Sequence, residues 1–283
     1  MAERSPAALV ARHLDTVPLH RTIIRAAEAW LMSSIAFPRP LLDVGCGDGH
    51  FASMLFDEPV DAGIDLSPEA VAEAKARGIY REVRVGSACD LPFPDASFAS
   101  VLSNCVIEHI PDVQATLREI SRVLRPGGLF VFTVPNPNFN RFLLGTRVFR
   151  RVGLPGVAEA YTRWFNAHSR HVHIDPPTVW QERLEAVGLR VEHQQGYLSR
   201  AAMVLFDLAH YYGVPSLVWK RLFGRWVLVP GKHRFWPPDV WLHRRVVRYC
   251  LEVPPDGGAY TLFVARKSVH ITSMGESSGG TRG

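Results

Sequence analysis

The feature that most constrains the fold is a series of short apolar segments that alternate with amphipathic helical ones. Most of the apolar segments lack a polar residue at every second position, which predicts strands buried on both faces. Strands separated by helices predict a mostly parallel sheet with helices on both faces, an α/β fold. The predicted strands are 41–44, 60–64, 82–85, 98–103, 129–134, 189–193 and 260–265.

Two long segments, 136–175 and 198–258, interrupt this alternation, and both are basic and aromatic. The second is too long for a simple connection inside a compact sheet, so it should have structure of its own. We predict that both form a helical cap on a single domain of residues 1–267. The predicted core comprises about 38–135, 176–197 and 259–266. The tail 268–283 is rich in Gly and Ser and is predicted to be disordered.

Composition excludes several classes of protein. The four cysteines form no Cys-x-x-Cys pair and no close Cys/His cluster, which argues against a zinc module and for reduced thiols. The amino terminus has no apolar core like that of a signal peptide, and no stretch of about 18 uncharged apolar residues is present. We therefore expect a cytoplasmic protein, with a net charge of +5 concentrated in the two interrupting segments.

The turn Asp-Val-Gly-Cys-Gly-Asp-Gly at 43–49 joins the first predicted strand to a helix. Such a turn lets the backbone approach a ligand at the carboxyl edge of the sheet. A dinucleotide site would need its third glycine one residue later, and the carboxylates of Asp43 and Asp48 disfavour a phosphate. They suit a ligand that carries an ammonium and a sulfonium. Asp65, which follows the second predicted strand, is placed to accept both hydroxyls of a ribose.

Five segments resemble, in order and spacing, the class I S-adenosylmethionine-dependent methyltransferases of the group called type 11. They are Leu-Asp-Val-Gly-Cys-Gly-Asp-Gly at 42–49, Gly-Ile-Asp-Leu-Ser at 63–67, Gly-Ser-Ala-Cys-Asp-Leu-Pro-Phe-Pro-Asp at 86–95, Ser-Asn-Cys-Val-Ile-Glu-His-Ile at 103–110 and Glu-Ile-Ser-Arg-Val-Leu-Arg-Pro-Gly-Gly at 119–128. The resemblance implies a Rossmann-like seven-stranded sheet with an antiparallel last strand, S-adenosylmethionine as cofactor, and methyl transfer as the activity.

The same resemblance assigns the cofactor contacts. The methionine moiety is assigned to Asp43, Gly45, Cys46, Gly47 and the backbone carbonyl of Asn104. The adenosine moiety is assigned to Asp65, Leu66, Ser87 and Ala88. The family usually carries Asp where Ser87 stands, so the bond to the adenine amino group should be a neutral and weaker one.

An acceptor hydroxyl must lose a proton, and histidine is the first choice of base near neutral pH. The predicted candidates are His109, His171 and His173. Related quinone O-methyltransferases carry Glu-x-x-Glu-His after the fourth strand, which can bind a metal. Here Cys105 replaces the first Glu, and two remaining ligands make a poor site for a hard divalent ion. We therefore expect no essential metal.

The acceptor is predicted from the basic and aromatic cap. We expect O-methylation of a lipophilic or anionic small molecule, with C-methylation of a quinone- or lipid-like acceptor, RNA methylation, a nicotinamide-dependent oxidoreductase, or cofactor binding without catalysis as alternatives. Amphipathic surfaces with Arg, Lys, Trp and Phe also bind at bilayer interfaces, so the cap could contact the inner face of the membrane. A nucleic-acid partner is not expected, and the sequence leaves the oligomeric state open.

Overall fold

A single seven-stranded sheet organises the part of the chain that the computed structural model describes, residues 5–212, 214–224, 226–227, 230–231 and 234–269. The strands are β1 Leu41–Val44, β2 Val60–Asp65, β3 Tyr80–Val85, β4 Phe98–Asn104, β5 Leu124–Pro135, β6 Leu189–Tyr197 and β7 Tyr260–Lys267. Their order across the sheet is β3-β2-β1-β4-β5-β7-β6.

The first five strands pair in parallel, whereas β7 lies antiparallel between β5 and β6. This confirms the predicted Rossmann-like, mostly parallel sheet, including its antiparallel last strand. The strand order reverses between β1 and β4. A crevice opens at the carboxyl ends of strands at such a switch point, which makes this edge the expected ligand site.

Helices cover both faces of the sheet. Leu42 and Val44 of β1 face a cluster that includes Leu117 and Trp180, while Leu41 faces the opposite cluster with Ile23. The helices that directly follow or precede the core strands are α3 His50–Leu55, α4 Pro68–Arg77, α5 Val113–Val123 and α9 Pro177–Glu185. Because apolar residues cover both faces, the strands are apolar rather than alternating.

The two interrupting segments are helical in their described parts. Their helices are α6 Asn138–Phe142, α7 Leu144–Arg151, α8 Pro155–Ser169, α10 Arg200–Tyr212, α11 Val214–Phe223 and α12 Pro237–Leu251. Two amino-terminal helices, α1 Pro6–Leu14 and α2 Leu19–Met32, pack against α12, and α2 also contacts α10. The cap is thus completed by the amino terminus.

Helix caps explain where two of these helices begin. The Ser67 hydroxyl accepts the amide of Ala70, and Pro68 opens α4, as the sequence predicts. The same pair, Ser5 and Pro6, opens α1, which our sequence analysis did not predict. Within the described residues, no helix is both long and apolar enough to cross a bilayer. Of the predicted disordered tail, residues 270–283 lie outside the described part of the chain.

Candidate functional site

A cavity of about 660 Å³ lies at the carboxyl edge of the sheet, beneath the cap. One wall is the glycine turn, and a second is helix α2 with His20, Arg21 and Arg25. The opposite end is formed by aromatic and histidine side chains of the cap. Seven of the predicted cofactor or catalytic residues line this cavity: Asp43, Gly45, Cys46, Gly47, Asn104, His109 and His171.

The glycine turn is held by the neighbouring strand. The amides of Gly45 and Cys46 both donate to the carbonyl of Ile64, at 2.8 and 3.0 Å. Gly45 has φ +74°, and a Cβ there would lie 2.3 Å from a methyl of Val106, so this glycine is required by close packing. Gly47 has φ +54°, and a Cβ there would meet no atom within 4 Å. Gly47 is therefore the position where a ligand can approach the backbone.

Asp65 fixes the same turn from the end of β2. Its Oδ2 accepts the amide of Gly47 at 2.8 Å, and its Oδ1 accepts the amide of Ser67 at 2.9 Å. Each carboxylate oxygen retains a further lone pair, so two hydroxyls of a ribose could still be bound. The carboxylate thus joins the glycine turn to the start of α4.

The residues predicted to contact adenine follow β2 and β3 and lie outside the cavity lining. Leu66 is 75% exposed, and Val85 at the end of β3 is also exposed. Ser87 and Ala88 are half-buried, and the Ser87 hydroxyl accepts the amide of Cys89 at 3.1 Å. The uncovered apolar surface of Leu66 and Val85 is suited to the face of a planar base.

Asp43 is buried at the floor of the cavity, where the Tyr80 hydroxyl donates to it at 2.7 Å. Burial raises the pKa of Asp43 to about 7, and the nearby charge of Asp65 acts in the same direction. The bond from Tyr80 and the charge of Arg25 oppose this rise. Asp48, which also lines the cavity, is instead paired with Arg77 at 3.2 Å.

A buried hydrogen-bond network around Glu28 underlies the cavity. Glu28 is fully buried and accepts four donors: Arg25 Nη1 at 3.0 Å, Asn104 Nδ2 at 2.8 Å, the Cys105 thiol at 2.9 Å and the Tyr197 hydroxyl at 2.9 Å. The network ties α2 to the ends of β4 and β6. Arg25 also donates to the carbonyl of Asn104 at 3.2 Å, the group assigned to the cofactor ammonium. Arg25 also lines the cavity beside that carbonyl.

Glu108, His109 and His171, which we call the acid–histidine cluster, lie together in the cavity. His109 and His171 stack with ring centroids 5.3 Å apart. Burial is the main cause that raises the pKa of Glu108 to about 8 and lowers the pKa of His171 to about 4. Burial also lowers the pKa of His109. Both imidazoles are therefore neutral at pH 7 and can accept a proton.

His173, the third predicted base, does not line the cavity. Its Nε2 contacts the carbonyl oxygens of Ile110 and Pro111, and its Nδ1 lies 3.6 Å from Asp175. Sequence analysis also missed three histidines that do line the cavity: His20, His50 and His210. The rings of His20 and His210 lie 4.9 Å apart. Nothing in their sequence context distinguishes them from core histidines.

Arg25 and Glu28 were missed as well, although a signal was present. They are charged residues three apart within the amphipathic segment that forms α2, next to the apolar positions Ile23, Ala26 and Ala27. Charged groups on a buried helix face need partners, so they point to a network or a ligand.

Comparisons with known proteins show similarity to methyltransferases. A family described as a methyltransferase domain matches residues 42–132. A "Probable S-adenosylmethionine-dependent methyltransferase" of Mycolicibacterium smegmatis is 32% identical over 173 residues, 61% of this chain and 60% of that protein. A fatty-acid O-methyltransferase of the same organism is 39% identical over 106 residues, 35% of this chain and 38% of that protein. The chain thus spans less than two thirds of either relative.

A solved structure shares the fold. A SAM-dependent methyltransferase structure from Thermotoga maritima superposes with a TM-score of 0.54 at 16% identity, covering 88% of this chain and 91% of that one. At this identity, the superposition shows that the two chains share a fold.

Proposed function

We propose that the chain, whose residues 42–132 match a methyltransferase domain, is a class I S-adenosylmethionine-dependent methyltransferase that methylates an oxygen atom of a lipophilic small molecule. The observation that carries the proposal is one cavity that contains both the glycine turn and the acid–histidine cluster. When bound, S-adenosylmethionine supplies a methyl group on a sulfonium, an already activated electrophile.

The glycine turn and its neighbours have the chemistry to hold the cofactor. The open backbone at Gly47 admits a ligand, Asp65 retains lone pairs for the ribose, and the Arg25 guanidinium suits a carboxylate. Asp43 and the carbonyl of Asn104 face the cavity with negative charge or dipole, which suits an ammonium and a sulfonium. The site fits this cofactor better than a pyrophosphate, which these groups would repel.

The other end of the cavity has the chemistry to hold the acceptor. The rings of Phe139, Phe206 and Tyr260 line it, which favours an apolar or aromatic molecule and excludes water. The acid–histidine cluster is the group that would remove the proton of an acceptor hydroxyl. The fatty-acid O-methyltransferase among the relatives supports an oxygen acceptor of lipophilic character.

Calorimetry tests the cofactor half of the proposal. We expect binding of S-adenosylmethionine and S-adenosylhomocysteine, no binding of NAD, and a large loss of affinity in Asp65→Ala. Asp61→Ala is the matched control, because Asp61 lies in the same strand and also accepts a backbone amide, that of Leu41 at 2.8 Å, but away from the ligand edge. Equal affinities of the two variants would contradict the assignment of Asp65.

A methyl-transfer assay tests the acceptor half. Fatty acids, phenols and quinols are each incubated with the protein and labelled cofactor, and the methylated atom is identified by mass spectrometry and NMR. We expect an O-methyl product from a lipophilic acceptor. A C-methyl product, or cofactor binding without turnover of any acceptor, would contradict the proposal and favour one of the alternatives above.

The contact of the cap with a membrane stays a prediction. Within and just after α7, the exposed apolar side chains Val148, Val152 and Leu154 alternate with basic residues. This arrangement supports interfacial binding.

A further inference from the structure

We propose that the acid–histidine cluster is a binding site for a divalent transition-metal ion. One ligand atom from each of Glu108, His109 and His171 lies within 4.8 Å of the others. Two imidazoles and one carboxylate on one side of an ion leave further coordination positions open toward the cavity.

The carboxylate of Glu108 is the first argument. Its side chain is 1% exposed, and neither of its oxygens accepts a hydrogen bond of ordinary geometry, although its own backbone amide and the Cys105 thiol lie nearby. A buried carboxylate without partners is strongly disfavoured unless a proton or a cation neutralises it. A metal ion between Glu108 and the two histidines would neutralise the charge and give the carboxylate a direct partner.

The orientation of the histidines is the second argument. The Nδ1–H of His109 donates to the carbonyl of Arg170 at 2.9 Å, which leaves its Nε2 as an acceptor 3.7 Å from Glu108 Oε1. A metal-binding histidine commonly donates its other ring N–H to a carbonyl in this way. His171 stacks on His109, and its Nδ1 is buried without a hydrogen-bond partner.

The third ligand, His171, lies in the cap. The amides of Val172 and His173 donate to the carbonyl of Glu108 at 2.9 and 3.0 Å, which brings the segment after α8 onto the end of β4. The expectation of no essential metal counted only the adjacent Glu108 and His109. The structure adds His171, which is 63 positions after Glu108 in the sequence and so escapes any local motif.

The ligand set selects the class of ion. Imidazole suits Zn²⁺, Co²⁺, Ni²⁺ and Fe²⁺, whereas Mg²⁺ and Ca²⁺ prefer sites made only of oxygen ligands. In the proposed reaction, an ion held there would stabilise the oxyanion of an acceptor hydroxyl, which would release its proton to solvent. With the ion bound, the two histidines would serve as its ligands and not as the base. This catalytic role rests on the proposed function, whereas binding of the ion does not.

The test uses the full, untagged chain treated with a chelator and then titrated with Co²⁺ or Zn²⁺ by calorimetry. We expect one site per chain in the wild type and binding weakened by at least about tenfold in Glu108→Gln and His171→Ala, since even loss of an outer partner of a metal site has that effect. His193→Ala is the matched control, because His193 is exposed on β6. It should bind like the wild type.

Two results would overturn the proposal: a wild type that binds neither ion, or a His171→Ala protein that binds as tightly as the His193→Ala control. S-adenosylhomocysteine titrated into each variant reports whether the fold and cofactor site are intact, and His109→Ala repeats the test if His171→Ala fails that control. A protein that binds the ion but not the nucleoside would contradict the proposed function alone. One that binds the nucleoside but no ion would contradict the metal site alone.

Discussion

The two ends of the cavity are built in different ways. The cofactor end depends on backbone groups close in sequence: the turn at 43–49 and Asp65, whose carboxylate accepts two amides. The proposed acceptor end depends on side chains from distant elements, such as His171 from the segment after α8, which stacks on His109 from the segment after β4. The cofactor end can therefore be shared by enzymes with different acceptors, while the acceptor end can change without disturbing it.

The difference predicts how each end responds to substitution. Backbone geometry at the cofactor end should control affinity for the nucleoside with little effect on global stability. The buried network between the ends should control stability, because its partners join α2, β4 and β6. Variants in each region test this contrast.

The largest effect is expected for Glu28→Ala. Removal of this fully buried carboxylate deprives Arg25 of its ion pair and leaves the donors of Asn104, Cys105 and Tyr197 without that acceptor, which typically costs about 3–5 kcal/mol. Urea unfolding measures the change. Glu119→Ala is the control, since Glu119 also pairs with an arginine three residues on, Arg122, but near the surface. If both variants lost a similar free energy of unfolding, the Glu28 network would not join the two ends.

Gly47→Val should have the next largest effect, on affinity. Its side chain would occupy the space where the ligand approaches, at a cost of about 2–3 kcal/mol or roughly 100-fold in binding of S-adenosylhomocysteine. Gly153→Val is the control, because Gly153 also has positive φ and open space around it, so the backbone strain is matched. If both proteins bind the nucleoside normally, the turn is not the cofactor site.

The difference between contacts of neighbouring residues and contacts of distant ones also explains which features could be predicted from the sequence. β1 occupies the predicted residues 41–44, and Ser67 caps α4 as expected, because these features depend on neighbouring residues. The partners of the Glu28 network escaped prediction, since Tyr197 is 169 residues away from Glu28. The approach of His171 to Glu108 likewise depends on how the cap packs on β4, which no local pattern encodes.

Asp43→Asn should show a smaller effect that depends on pH. The pKa of Asp43 is about 7 in the fold against an ordinary 3.8, so the folded state holds the proton more tightly. The contribution of the Asp43 carboxyl to the free energy of unfolding is therefore greatest below about pH 4, and it is lost as the pH rises to about 7. The Asn variant, which keeps an acceptor for Tyr80, should gain stability relative to the wild type over that range.

The affinity for S-adenosylmethionine should change with pH in the opposite direction to the stability. A cationic ligand favours the ionised carboxylate, so wild-type binding of S-adenosylmethionine should strengthen as pH rises through about 7. The groups that face Asp43, namely Tyr80, Asp65 and Arg25, remain in the variant. Calorimetry between about pH 6 and pH 8 should therefore show a steep profile for the wild type and a flatter one for Asp43→Asn. Parallel profiles would exclude Asp43 as the titrating group.

The smallest effect is expected for Lys220→Ala, at the mouth of the cavity. Lys220 of α11 pairs with Glu73 of α4 at 3.0 Å, a direct side-chain link between the cap and the cofactor end, and both side chains are partly exposed. Exposed ion pairs contribute about 0–1 kcal/mol, so unfolding in urea should change by no more than that, and less at high salt. Arg221→Ala, which alters an adjacent exposed charge, is the control. If Lys220→Ala alone lowered the free energy of unfolding by well over about 1 kcal/mol, the two ends would be joined at the surface as strongly as through Glu28. The buried network would then not be what distinguishes the link between the two ends.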